Sequence, residues 1–309
     1  GSSRARELAV RGAGLRTAPP GANMRDTMHV AGQQRNHVLW LATRSLRAIC
    51  QCTPAGAAGA TEDATAEPRK IRRVLIHFAM EAEGMPLLAE LDTLRKDEAG
   101  LPNLPALCYS GTYRGLDVVV VMNGQHPIYG VTSVGTTAAA VTAYAAVRRF
   151  EPDLLLNAGT AGGFKHRGGA IGDVYVSTSV VMHDRRIPIP GFEEYEKGRL
   201  ATFVPDGLLK VQSGWKEGIV TTSNSLDYTP EDEIRMRDSG ASVKEMEAAA
   251  IADVAHQCGV AFMALKVITD IVDGDRPTQD EFTENLGTAA ASLQKAVPMA
   301  LGFIAASHG

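Results

Sequence analysis

With 309 residues, 45% of them hydrophobic and 31 of them glycine, the chain can bury one large core and has the composition of an α/β protein with glycine-rich turns. A formal net charge of -4 leaves no basic footprint for a nucleic acid or an anionic membrane. Cys50, Cys52, Cys108 and Cys258 make no CxxC pair and no zinc-spaced set with histidine, and no apolar run approaches the roughly 18 residues of a membrane span, so a soluble intracellular protein with reduced thiols is expected.

Residues 1–70 stand apart from the rest. Up to Ala60 there are eight arginines against two acids, Glu7 and Asp26, and only His37–Cys52 could form a short basic amphipathic helix. A cytoplasmic location is expected, unless residues 1–70 are an organelle transit peptide, which an arginine-rich, acid-poor leader resembles and which would place the protein in a plastid. Upstream or cloning-derived residues fit equally, since the chain begins Gly-Ser-Ser and Met24 or Met28 would serve as a start. The folded domain is expected to be 71–309.

Arg72–Ala79 (RRVLIHFA) reads as a strand, followed by a helix that opens at Met80–Glu83. Ala106–Ser110 and Leu116–Met122 flank GTYRG as a hairpin. Asn123–Gly130 is a Gly/Pro loop, and Val131–Phe150 an alanine-rich helix. Asp153–Asn157 is a short buried strand entering the glycine cluster Gly159–Gly163, read as a tight turn that needs glycine for its dihedrals. Asp173–Val181 alternates like a strand, and His183–Phe192 is a proline-rich loop carrying apolar residues. Gly218–Thr222 is a strand, Ser223–Asp227 a turn, and Pro230–Arg237 an acidic helix. In Val243–Asp275, Met246, Ala250, Val254 and Cys258 form a helical apolar stripe that Gly259 stops, and Val260–Ile268 is a strand buried on both faces. Thr278–Ser307 closes the chain as a helix. Strands alternating with helices indicate an αβα sandwich around a mixed, largely parallel sheet.

Three strand ends each deliver one acid: Glu83, Glu247 and Asp270. Glu247 opens its helix, where the dipole favours a carboxylate, and Asp270 lies at the carboxyl end of a buried strand, where α/β sheets bind ligands. Cleaving a glycosidic bond needs such a set: one group to protonate the leaving group, one to hold water, and negative charge to stabilise the cationic sugar. The loop NAGTAGGFKHRGG has neither a Walker ending nor GxGxxG, which argues against a nucleotide-phosphate loop. His77 and His183 have no Ser or Cys nucleophile at motif spacing and are expected to be structural. Arg148 and Arg149 suit a helix C-terminus, and Arg185 and Arg186 read as solvated loop charges.

Six segments taken together, AMEAEG (79–84), NAGTAGG (157–163), IGDV (171–174), SNSLD (223–227), KEMEAAA (244–250) and ITDIVDGD (268–275), resemble the 5'-methylthioadenosine/S-adenosylhomocysteine nucleosidases of the purine and uridine phosphorylase-like superfamily. HDRRIPIP (183–190) and VDGDRPT (272–278) are closest to the plant-type enzymes, and the resemblance spans about 71–305. It implies a three-layer αβα fold and usually a homodimer. It also implies hydrolysis, in methionine salvage and without metal or cofactor, of 5'-methylthioadenosine to adenine and a 5-thioribose, with acceptance of S-adenosylhomocysteine left open. By the motif matches, Glu83 would activate water, Glu247 would bind the ribose hydroxyls and steady the oxocarbenium ion, and Asp270 would protonate adenine N7. Thr160 and Gly162 would line the sugar side, the backbone at Leu226–Asp227 would read the adenine edge, and Lys244, Glu245 and Met246 would lie at the substrate. Lys266 and Thr269 would support Asp270, and Ile187–Phe192 would close over the 5'-thio group near the dimer interface.

Two other functions are compatible with a fold of this kind. A phosphorylase of the same superfamily would carry arginines on phosphate, the first in the loop after strand one, where this chain has Ala79-Met-Glu-Ala-Glu83. A non-catalytic storage or binding protein of the fold would have lost an acid, and all three are present.

Overall fold

The computed structural model describes residues 70–309. The leader and its candidate helix at His37–Cys52 lie outside the described residues.

The organising strand is β5 (Leu154–Gly163), which pairs in parallel with β1 (Arg73–Phe78) on one side and β10 (Ala261–Ile271) on the other. Beyond β1 the sheet continues through β4 (Leu116–Met122) and β3 (Leu107–Tyr113) to the short edge strand β2 (Arg95–Lys96). Beyond β10 come β6 (Val174–Met182), β8 (Lys216–Thr222) and β9 (Ala241–Glu245), with β7 (Leu200–Ala201) on the margin of β6. Because β9 also pairs with the end of β5 at Gly162 and Gly163, this half of the sheet curls into a closed ring. The mixed sheet is parallel through β4–β1–β5–β10 and again through β6–β8–β9, and antiparallel where β6 meets β10 and β7, where β9 meets β5, and along β4–β3–β2.

Helices cover both faces, giving three layers. Strand alternation sends Val74, Ile76, Leu154 and Leu156 to one face, against α1 (Glu81–Glu90) and the 31-residue α7 (Thr278–His308). It sends Leu75, Val119, Val121 and Leu155 to the other, against α2 (Thr136–Phe150) and α6 (Ala248–Gln257). Helix α7 is long and apolar enough to cross a membrane by length and composition alone, yet half of its most apolar window is buried. Leu293, Val297, Leu301 and Ile304 recur at helical spacing with no exposure, and each such burial stabilises the fold by about 1.5–3 kcal/mol. Three shorter helices, α3 (Glu193–Lys197), α4 (Leu208–Val211) and α5 (Pro230–Ser239), join the outer strands.

The structure departs from the sequence reading in four places. The glycine cluster is strand rather than turn, since β5 runs straight through Gly159–Gly163. None of these glycines has a left-handed backbone; each is small because something approaches it. A Cβ on Gly159 would lie 3.2 Å from Glu83 Oε1, one on Gly162 would lie 2.6 Å from Asp270 Oδ2, and one on Gly163 would meet Ile268. Second, Ala241–Glu245 is strand β9, which the sequence reading did not identify; the helix opens at Glu247 as expected, but its fully buried stripe is Ala248, Ile251, Ala252 and Ala255, with Val254 and Cys258 of the expected stripe only partly buried. Third, α2 begins at Thr136, because Gly135 adopts φ +89 and ends the preceding loop. Fourth, Arg185 and Arg186 are partnered: Arg186 pairs with Glu231 and Asp232, and Arg185 lies over the Tyr195 ring at 4.4 Å.

Candidate active site

The carboxyl ends of β1, β5 and β10 open into a cavity of about 280 Å³, close to the lower end of the usual range for small-ligand sites. Three acids from three elements line it, and each is almost sealed from solvent: Glu83, Glu247 and Asp270 are 3%, 7% and 3% exposed.

Glu83 sits in the first turn of α1. The Met80 N–H donates to its Oε2 at 3.1 Å, which caps the helix. Both the N–H and the hydroxyl of Thr160 donate to Oε1 at 2.7 Å. Burial raises its pKa, against these donors and Lys266. Glu247 is the N-cap residue of α6, and its Oε1 accepts the Gly135 N–H at 2.7 Å. Burial, with the Glu245 carboxylate adding to it, pushes the Glu247 pKa up to about 7. Asp270 stands near the end of β10, just past a bulge that leaves Thr269 out of the pairing, and the Thr269 hydroxyl donates to its Oδ1 at 2.7 Å. Burial raises its pKa too, against that hydroxyl and Lys244.

The other expected residues divide. Thr160, Gly162, Leu226, Lys244, Glu245, Met246 and Thr269 line the same cavity. The Lys244 ammonium donates to the carbonyls of Ser225 and Leu226 at 2.9 and 2.8 Å, fixing the 223–227 turn over the cavity. Glu245 is fully engaged. Its Oε1 accepts the Thr222 hydroxyl; its Oε2 accepts from Lys266 Nζ at 2.9 Å and from the N–H groups of Glu247 and Ala248 at 3.0 and 2.8 Å. Glu245, not Glu247, is therefore the acid that satisfies the start of α6. Burial works to raise its pKa, but Lys266 and the Thr222 hydroxyl outweigh it and hold the carboxyl below its usual range.

Lys266 does not support Asp270 as expected; it pairs with Glu245 behind the cavity wall. Asp227 is exposed and faces a separate surface hollow beside Tyr228 and Val272. Ile187–Phe192 does not reach the cavity of its own chain, and Ile189 and Phe192 lie open to solvent. The sequence reading missed Met80, Val134, Thr278 and Phe282, which supply apolar lining. Thr278 and Phe282 stand four apart at the start of α7, a spacing that puts both on one face. It also missed Gly135 and Asn224: the Asn224 Oδ1 accepts from the N–H and hydroxyl of Thr136 at 2.9 and 2.8 Å and so caps α2.

An apolar-walled cavity with carboxylates held by oriented N–H and O–H donors, and no arginine among the described residues that line it, suits a neutral ligand that becomes cationic as it reacts. Comparison with known proteins agrees with that chemistry. The family model of the phosphorylase superfamily matches residues 73–302. A 5'-methylthioadenosine/S-adenosylhomocysteine nucleosidase of Arabidopsis thaliana is 39% identical over 239 residues, covering 77% of this chain and 94% of that protein. A 5'-methylthioadenosine nucleosidase of the same organism is 39% identical over 237 residues, covering 76% and 88%. The solved apo structure of the Arabidopsis thaliana 5'-methylthioadenosine nucleosidase matches with a TM-score of 0.74 at 39% identity, over 76% of this chain and 97% of that one.

Proposed function

The chain belongs to the phosphorylase superfamily and, within it, to the 5'-methylthioadenosine nucleosidases, and from that premise we propose that it hydrolyses the N-glycosidic bond of 5'-methylthioadenosine to adenine and 5-methylthioribose. S-adenosylhomocysteine, with the same adenosine and a longer 5' group, is the second substrate to test. The convergence of Glu83, Glu247 and Asp270 on one cavity carries this reading.

In the proposed reaction the C1'–N9 bond breaks with its electron pair passing to adenine. Asp270, whose burial favours the protonated form, gives a proton to N7 so that adenine leaves neutral. The Glu247 carboxylate accepts from the ribose hydroxyls and faces the positive charge that develops on the sugar. Water adds to C1' and its proton passes to Glu83, whose raised pKa makes it a better acceptor. One water is consumed; Glu83 then releases the proton it took to solvent and Asp270 regains one from solvent, which restores both groups. Phosphate as nucleophile would need cations beside C1'. Lys244 is the only cation in the lining among the described residues, and it is bound to two carbonyls.

The active unit in this proposal is a homodimer. Ile128, Tyr129, Val131, Val141 and Tyr144 are 79%, 73%, 61%, 47% and 55% exposed, an apolar face of the kind that marks an interface. It adjoins Val134 at the cavity, so a partner seated there would wall the 5' end of the site.

Adenine release from 5'-methylthioadenosine, followed by absorbance with and without phosphate, tests the activity. Release independent of phosphate, giving free methylthioribose, is expected. Release that requires phosphate would mean a phosphorylase, and no release would favour a binding protein of this fold.

A further inference from the structure

We propose that His77 is a positioning residue for Glu247, acting through Asn123 and the 133–135 segment to hold the Gly135 N–H against the carboxylate. The proposal rests on the nucleosidase reading of the cavity. Below the site, the face of β4, β1 and β5 that packs on α2 is apolar, with Val119, Leu75 and Leu155 side by side. One layer higher His77 lies between Val121 and Asn157, with Asn123 just past the end of β4, and these three polar side chains, His77, Asn157 and Asn123, are at most 1% exposed. Buried polar groups are costly unless paired, and the bonds here fix a direction for Asn123 and His77, while Asn157 Oδ1 has no partner among the described residues.

The direction follows from the bonds. Asn123 Nδ2 donates to the Ser133 carbonyl at 2.9 Å, which turns its Oδ1 toward His77. His77 Nε2 therefore carries the hydrogen and donates to that Oδ1 at 2.9 Å, leaving Nδ1 as an acceptor facing Asn157 Nδ2 at 3.4 Å. Burial lowers the His77 pKa to about 4, and Lys266 also disfavours charge, so the ring remains neutral across the working range and moves no proton. It can only orient. Beyond Asn123 the chain leaves the sheet, and the Ser133 N–H donates back to the Gly124 carbonyl at 2.9 Å, closing the loop at its base. Two residues on, Gly135 at φ +89 directs its N–H to Glu247 Oε1 at 2.7 Å. Asn224 holds the far side of the segment through Thr136. His77 and Asn123 hold the near side.

This segment matters because Glu247 has few stabilisers. Glu245 of β9 and Glu83 of α1 disfavour its ionised form, and only Lys266 of β10 and the Gly135 N–H favour it. Freeing the segment removes the N–H and makes the carboxylate harder to ionise.

The test uses His77→Leu, Asn123→Ala and the conservative His77→Gln, whose side-chain amide retains an N–H donor. For each, kcat/KM for 5'-methylthioadenosine is measured across pH 5–9, and deuterium exchange is followed in peptides spanning 124–136. In His77→Leu and Asn123→Ala the acid limb should move to higher pH by about one unit, the size of one hydrogen bond to a charged group. Exchange in 124–136 should quicken, and His77→Gln should match the unaltered protein in both respects. A purely structural histidine would lower the melting temperature and leave the limb in place, and that result overturns the proposal. If His77→Leu does not fold, Asn123→Ala breaks the same chain and decides alone. If the unaltered protein releases no adenine, the nucleosidase reading fails separately. Exchange then still decides the positioning: quickened exchange in 124–136 supports it, and unchanged exchange overturns it.

Discussion

Lys266 Nζ and Glu245 Oε2 meet at 2.9 Å with each side chain 2% exposed, an ion pair buried behind the wall of the cavity. The pair acts on its surroundings in two ways. The ammonium favours the ionised forms of both Glu83 and Glu247, while the carboxylate satisfies two N–H groups at the start of α6. Replacing Lys266 by Met should leave Glu245 buried and unpaired, destabilising the protein by about 3–5 kcal/mol in urea denaturation at pH 8. The sign with pH follows from the direction of the Glu245 shift. Its folded pKa lies below the unfolded value, so the pair contributes stability above that value and loses it as pH falls. The gap between Lys266→Met and the unaltered protein should therefore narrow toward pH 4. A gap independent of pH would mean that the lysine is held for packing alone.

Asp270→Asn separates proton donation from shape. Asparagine can still accept the Thr269 hydroxyl bond seen at 2.7 Å, so the melting temperature should change little. It cannot protonate N7, and turnover should fall by about 10²–10⁴-fold. Turnover within a few-fold of the unaltered protein would remove Asp270 from the mechanism.

Gly162→Ala tests the closest approach in the site. An added Cβ would lie 2.6 Å from Asp270 Oδ2 and 2.7 Å from Val272 Cγ2, and the backbone at Gly162 is not left-handed, so the whole effect is steric. Overpacking of this kind costs about 1–3 kcal/mol, and displacement of the carboxyl should lower kcat more than it raises KM. Gly214→Ala, where a Cβ meets nothing within 4 Å, should be neutral to within about 0.5 kcal/mol. Equal behaviour of the two variants would show that Asp270 has room to move.

Long periodic elements were legible in the sequence: β1, the β3–β4 hairpin, the end of α6 at Gly259 and the closing helix α7 all stand where their patterns put them. Strand ends and helix starts marked the three acids in the sequence, but only the family motifs AMEAEG, KEMEAAA and ITD implied one site for them, and Glu83, Glu247 and Asp270 do line one cavity. What escaped was decided by tertiary contact. Ala241–Glu245 has no strand signature in the sequence, yet it is a buried strand whose Lys244 and Glu245 find partners in distant segments. Gly159 and Gly162 are small because of Glu83 and Asp270, which are far away in sequence, and no local rule separates that reason from a turn. The polar layer of His77, Asn123 and Asn157 had no signature beyond one histidine in an apolar strand.

The Glu247 carboxyl, with its pKa near 7, makes stability and activity respond to pH in opposite directions. Its folded pKa lies above the unfolded value of about 4.3, so the folded state holds this proton more tightly. Its contribution to stability is complete below the unfolded value and is lost as pH rises through about 7. Activity needs the ionised form and should climb over that same interval, with an acid limb in kcat/KM near pH 7. Glu247→Gln keeps an oxygen for the Gly135 N–H but cannot ionise. Relative to the unaltered protein it should be more stable at pH 8 than at pH 5, by roughly 2–4 kcal/mol, while adenine release is largely lost at both. Thermal denaturation of the two proteins at the two pH values measures this directly. A stability difference that does not change with pH would mean that Glu247 is ionised throughout, and its burial would then be offset by a partner other than the Gly135 N–H.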